Sequence, residues 1–251
     1  MWIVLIAPTI LLGQSGAASA AGPDPISDAA ELLALANATR AAEGMGTLQW
    51  DAALADAAVK HCLRMTAAVP IAHQYDGEPD LTTRTAAAGA HFSAVEENLG
   101  VARSAEIIHK AWLGSPGHRK NLLNPAVDRV GIAVIEYQGL LYAVADYARA
   151  VQVLTQTEIE AAFANLLRAR NLVISRDTTE ARTYCASSGN YQGNDIPRLV
   201  MRWQNSDVTQ LPPELVQALA RNSYQRVAVG SCPPQDVNGA FTIYRVAVLL
   251  Y

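Results

Sequence analysis

The 251 residues carry 19 Lys and Arg against 23 Asp and Glu, a net charge of −4, with no basic cluster long enough to follow a phosphate backbone, so nucleic acid is excluded as a partner. At 51% hydrophobic and 17% charged, the chain has ample material for a core, and its length suits one large or two modest domains. The opening run W-I-V-L-I-A-P-T-I-L-L-G, followed by small residues ending Ala18-Ser19-Ala20, predicts a signal peptide over residues 1–21. Gly13, Gln14 and Ser15 interrupt that run before the roughly 20 apolar residues a membrane span needs. No other segment could cross a bilayer, so no stable span is expected after signal removal. The expected location is secreted, extracellular or periplasmic.

After a Gly22-Pro23-Asp24-Pro25 linker, Ser27 can cap a helix that presents Leu32, Leu33, Leu35 and Ala36 on one face and stops at Gly44. Trp50-Asp51 opens a second helix whose Leu54, Ala58, Cys62 and Met65 recur at three- and four-residue steps, which places Cys62 in the core and predicts an exposed His61. The stretch from Pro70 is turn-rich until Asp80 caps a short helix through Ala88, so His73 lies on a loop. Ser93-Ala94-Val95-Glu96 has capping-box spacing, which would occupy Glu96 and leave Glu97 for a site. Ile107, Ile108, Ala111 and Trp112 lie at helical spacing until Ser115-Pro116-Gly117 breaks the helix and aims His118. From Val130, V-G-I-A-V-I-E-Y and L-L-Y-A-V-A-D-Y flank Gln138-Gly139 as a β-hairpin. His91 and His109 have no comparable context and read as surface or core residues.

Several ordered pieces carry a family resemblance: Asn37-Ala38-Thr39-Arg40, Leu48-Gln49-Trp50-Asp51, His73 with Asp76-Gly77 and Arg84, Glu97-Asn98-Leu99, Trp112, Ser115 to Leu123, and Val130-Gly131-Ile132-Ala133-Val134. Over residues 27–149 the chain resembles the bacterial secreted branch of the CAP superfamily, which includes cysteine-rich secretory, antigen 5 and pathogenesis-related proteins. The resemblance implies an α/β (α+β) fold, a three-layer α-β-α sandwich round a small antiparallel sheet. It also implies that His73, His118 and Glu97 are three of the four residues of the family's cavity tetrad. The animal and plant pattern W-x-x-E has Ser115 at its last position here, which leaves Asp76 as the substitute carboxylate and makes Asp76 and Ser115 candidate cleft residues.

Residues 155–251 form a smaller α+β module that reads as a candidate degenerate repeat. Asn37 to Arg40 is echoed by Asn165 to Arg168, Asp51 to Cys62 by Asp177 to Cys185, Trp112 by Trp203, and Asp128-Arg129-Val130 by Gln225-Arg226-Val227. The stretch between cysteine and tryptophan is much shorter in the copy, as if the piece holding His73 and Glu97 were lost. A face left uncovered by that loss is expected to pack on the first module. A secreted location permits a disulfide, and Cys185 with Cys232 is the expected pair, because the smaller core gains most from a crosslink and the family-like topology lets a helix end meet a strand end; pairing through Cys62 stays open.

Two neutral imidazoles would suit a divalent metal, zinc first, with Glu97 either a third ligand or a base acting through water. Arg119 and Asn121 are expected to support the turn and the Asp76 loop by bonding backbone carbonyls. The reading that follows is a secreted binding module with a metal-holding cleft and a groove for a lipid, peptide or cell-wall ligand. A metal-dependent hydrolase using Glu97 as base and a structural domain with a satisfied polar cavity are the alternatives.

Overall fold

The computed structural model describes residues 27–68, 70–233 and 241–251, so the expected signal peptide lies outside the described residues. The first module runs α1 (Asp28–Ala42), β1 (Gln49–Trp50), α2 (Ala52–Ala67), α3 (Leu81–Ala87), β2 (Phe92–Ala102), α4 (Ala105–Gly114), α5 (Pro116–Leu122), β3 (Arg129–Tyr137) and β4 (Leu140–Ala150). Its sheet has the order β1-β3-β4-β2, with β1 parallel to β3 and the other pairs antiparallel. The caps are those the sequence offers: Ser27, Asp51 and Asp80 accept from the first-turn amides of α1, α2 and α3. Gln138 and Gly139 both take positive φ (53° and 75°), the backbone twist that a two-residue hairpin requires.

Helices cover both faces of this sheet. Leu32 and Ala36 of α1, Ile108 and Trp112 of α4 and Leu122 of α5 pack on Val130, Ile132, Ala145 and Tyr147. On the other face Ala58, Cys62 and Met65 of α2 pack on Leu99, Ala133 and Val144. Gly131 lets α2 lie directly on β3, since a Cβ there would fall 2.0 Å from the Ala55 amide nitrogen. This is the three-layer sandwich, with β2 at one edge of the sheet.

Residues 93–96 are strand rather than a helix start. A capping box contributes about 1 kcal/mol locally, whereas this 11-residue strand pairs along nearly its whole length with β4. The same spacing at Thr155 to Glu158 does form a capping box, because an amphipathic helix follows it.

The second module contains α6 (Gln156–Arg168), β5 (Val173–Ile174), α7 (Thr179–Ala186), β6 (Leu199–Asn205), α8 (Pro213–Arg221), β7 (Arg226–Cys232) and β8 (Tyr244–Leu250). Its sheet order is β5-β7-β8-β6, with the same parallel and antiparallel senses as the first. Val173 pairs with Arg226 as Gln49 pairs with Arg129. Phe163, Leu167 and Leu215 cover one face, and Ala181 and Cys185 of α7 cover the other. The disulfide joins Cys185 of α7 to Cys232 of β7, and Cys62 is free and buried.

Four expectations about this module need correction. Both sheet faces are covered from within it, so no broad face is left to pack on the first module. The contact between modules is narrow: Thr242 donates to the Phe92 carbonyl at 2.9 Å and Phe241 stands edge-on to Phe92. Trp203 lies in β6, not in a helix, so it is no counterpart of Trp112. Arg168 bonds Asn165 on the surface, whereas the buried Arg40 donates to the Gly46, Leu122, Asn124 and Val127 carbonyls. Nor is the strand of Glu97 missing from the copy. Counting from the parallel pair, Val200 and Leu249 take the places of Glu97 and Asp146.

Candidate functional site

Glu97 lies on edge strand β2, paired in register with Asp146 of β4, and its side chain is buried on the α2 side of the sheet. Neighbouring strand residues point to opposite faces, so Glu96 turns the other way and accepts from Asn124 at 3.0 Å. Two groups reach Glu97 from the α2–β2 connection. His73 Nδ1 is 2.7 Å from Oε1, and the Arg84 guanidinium is ion-paired with Oε2. Arg84 also donates to the His73 carbonyl at 3.1 Å, so one side chain from α3 holds both the loop and the carboxylate. The His73 ring is 63% exposed, leaving Nε2 toward solvent.

Behind this pair lies a polar cluster that sequence reasoning missed. His61, expected on the surface, is fully buried, with Nδ1 2.9 Å from Glu78 Oε1 and Nε2 3.8 Å from Glu97 Oε2. The buried arc of α2 spans Leu54, Ala57, Ala58, His61, Cys62 and Met65, wider than the single line of apolar residues suggests. Glu78 also accepts from the Tyr75 amide. It is therefore Glu78, not the exposed Asp76, that supplies the second buried carboxylate. Asp146 is completely buried opposite Glu97, and among the described residues no donor group is offered to either of its oxygens. An isolated carboxylate in the apolar run A-V-A-D-Y was the signal that could have found it.

His118 falls in the first turn of α5, whose Pro116 occupies a first-turn position. Asn98 donates to the His118 carbonyl at 3.0 Å, and Asn121 donates to the Glu97 carbonyl at 3.0 Å and to Asn98 Oδ1 at 3.1 Å. These bonds fasten α5 along the free edge of β2. Ser115 ends α4 and precedes α5, half-buried and without a capping bond. Arg119 does not bond the turn or the Asp76 loop; it pairs with Glu43 at the end of α1, 2.7 Å away and half exposed. A charged group at the helix surface finds a carboxylate more readily than a carbonyl already used by its own helix.

The electrostatics separate these groups. Burial pushes Glu97 up, but the His73 hydrogen bond and the Arg84 charge outweigh it and hold the carboxyl below its usual range. The Glu97 hydrogen bond raises His73. Burial, then the charge of His73, lowers His118. Burial, then the Glu97 charge, pushes Asp146 well above the ordinary carboxylate value, which favours its neutral form.

Both Glu97 oxygens are committed to other partners, so Glu97 does not fit the expected role of third metal ligand. An ionised Glu97 accepts from His73 Nδ1–H and leaves Nε2 as the free donor, the relation by which outer carboxylates orient ligand histidines. Among the described residues no group of three or more His, Cys, Asp or Glu side chains is arranged to hold a metal. With Glu97 engaged, His73 and His118 are what remains of the expected donor set.

Residues 33–147 match the family model for CAP, the cysteine-rich secretory protein family. The chain is 29% identical over 107 residues to the uncharacterized protein YkwD of Bacillus subtilis (strain 168), a match spanning 42% of each chain. Similar solved structures include an outer surface protein from Borrelia burgdorferi (20% identity, TM-score 0.47, covering 51% of this chain and 96% of that one). Another is an extracellular protein containing a SCP domain from Bacillus anthracis (27% identity, TM-score 0.43, covering 49% of this chain and 40% of that one). No described helix is long and apolar enough to cross a membrane.

Proposed function

We propose that the chain is an exported binding protein whose CAP domain, residues 27–149, uses His73 and His118 to hold a divalent metal, zinc in the first instance, beside a groove for a lipid, peptide or cell-wall fragment. The observation that carries this reading is the His73–Glu97–Arg84 arrangement, which fixes the tautomer of His73 and turns Nε2 outward. A bound ion would supply a positive anchor for an oxygen of the ligand. Glu97 orients His73, Arg84 keeps Glu97 ionised, and Asn98 and Asn121 hold His118 to the same strand edge. A hydrolase with Glu97 as base is less well supported, since its lone pairs are engaged and its proton affinity is lowered. Residues 1–21 serve as the signal peptide in this reading, and 155–251 form a degenerate repeat supported by the shared strand order.

Calorimetric titration with zinc tests the site. His73→Ala and His118→Ala should each abolish binding, while Glu97→Gln should weaken it by about 10–100-fold, the usual cost of losing an outer partner. Unchanged titrations in both histidine variants would exclude the assignment.

A further inference from the structure

The second module has a cavity at the corner where the first places His73 beside Glu97. In the first module the connection from α2 to β2 brings His73 and Arg84 over the edge strand; in the second, the connection from α7 to β6, residues 187–198, folds over the same corner. The counterparts of the first module's buried carboxylates are apolar, since Val200 and Leu249 occupy the places of Glu97 and Asp146 and join Ala181 and Ala228 in an apolar cluster. What the connection encloses is a cavity of about 240 Å³ with a neighbour of about 220 Å³, both bordered by Glu180.

The lining of the larger cavity defines the ligand chemistry. Tyr184 and Tyr191 meet nearly at right angles, 80° with centroids 5.8 Å apart, and form two adjoining aromatic walls. Asn190, Gln192 and Asn194 add amide groups, and Thr183 and Ser187 add hydroxyls. The single charged lining residue, Glu180, already accepts from the Tyr191 hydroxyl and from the Asn194 amide at 2.8 Å. No cation is among the lining residues, and Arg202, 4.9 Å over the Tyr184 ring, spends its N–H groups on the Tyr184, Ser187 and Ser188 carbonyls, which disfavours an anion. Amides and hydroxyls both donate and accept, as do sugar hydroxyls, and aromatic walls suit the C–H faces of a pyranose ring. The volume lies below the roughly 300–1,000 Å³ of drug-sized sites, which leaves room for one ring. Gly193 allows the loop to close over the Tyr191–Glu180 pair, because a Cβ there would lie 1.9 Å from the Tyr191 hydroxyl oxygen.

We propose that this cavity of the C-terminal module binds a neutral saccharide, one pyranose ring seated between Tyr184, Tyr191 and the amides of Asn190 and Gln192. It is independent of the histidine cleft in the other module.

Saturation-transfer NMR on the full chain tests this with cellotriose, tri-N-acetylchitotriose and choline as probes at millimolar concentration. Transfer to at least one of the two saccharides is expected, with binding weakened about tenfold or more in the exposed double variant Asn190→Ala/Gln192→Ala and unchanged in His73→Ala. Gly193→Ala, which displaces Tyr191, should weaken it as well. Transfer to neither saccharide, transfer to choline alone, equal binding in the Asn190/Gln192 variant, or loss of saccharide binding in His73→Ala would each overturn the proposal.

Discussion

At the scale of single residues, the pairing of His73 with Glu97 makes the two cleft histidines titrate apart. His73 should titrate above the ordinary histidine value of about 6.5 and His118 below it, read from imidazole proton shifts across pH 4–9. In Glu97→Gln the rise at His73 should disappear; a rise that survives would mean that Glu97 is not its cause. A raised histidine stabilises the fold fully below its unfolded value and loses that contribution as pH rises through its folded value. With its ring largely exposed, the effect of His73 on stability is small. The proposed metal binding would run in the opposite direction, since protons compete for Nε2 as pH falls through the raised value. Asp146 behaves differently because it is a buried carboxyl pushed well above its ordinary value: its contribution is full below the unfolded value and is lost as pH rises through the raised folded one. Asp146→Asn should therefore flatten the decline in melting temperature between acid and neutral pH, and an unchanged slope would show that Asp146 is not the group responsible. His73, Glu97 and His118 were legible because family-like motifs carry them. His61, Glu78 and Asp146 were not, because each takes its role from partners far along the chain, such as the register that sets Asp146 opposite Glu97.

At the scale of elements, the helix starts at Ser27, Asp51 and Asp80 and the hairpin turn at Gln138-Gly139 were legible because they depend on neighbours within a few residues. The false capping box at Ser93 failed because β2 is specified by its ladder to β4, which no local pattern reveals. Cys62 of α2 is a core residue, and burial pushes its thiol up to about 12, so a thiol reagent should label it only after denaturation. Labelling of the native protein at the denatured rate would contradict the packing of α2 on the sheet. The Cys185–Cys232 bridge closes a loop of 47 residues, worth about 4 kcal/mol by chain entropy. Replacing both cysteines with Ala should lower the unfolding free energy of the second module by that order in urea titration, with the first module little affected. Equal loss in both modules would mean that they unfold as one unit.

At the scale of the whole molecule, two sheets of the same order and sense stand side by side, each with helices on both faces and its own core. The echo at Arg226 carried through to the structure because it marks the parallel pair that starts each sheet. The echoes at Trp203 and Arg168 did not, since matching letters there take up different elements and burial. Because the modules meet only narrowly, residues 27–154 alone should be monomeric by light scattering and should unfold cooperatively. Self-association of that fragment would show that the second module covers an apolar surface.

The central claim is that two imidazoles hold the metal while Glu97 orients one of them. Anomalous diffraction from zinc-soaked crystals of the full chain tests it most directly. One anomalous peak is expected between His73 Nε2 and the His118 ring, with Glu97 still bonded to His73 Nδ1 and Arg84. No peak at the histidine pair, or a peak bonded to a Glu97 that has left Arg84, would contradict it.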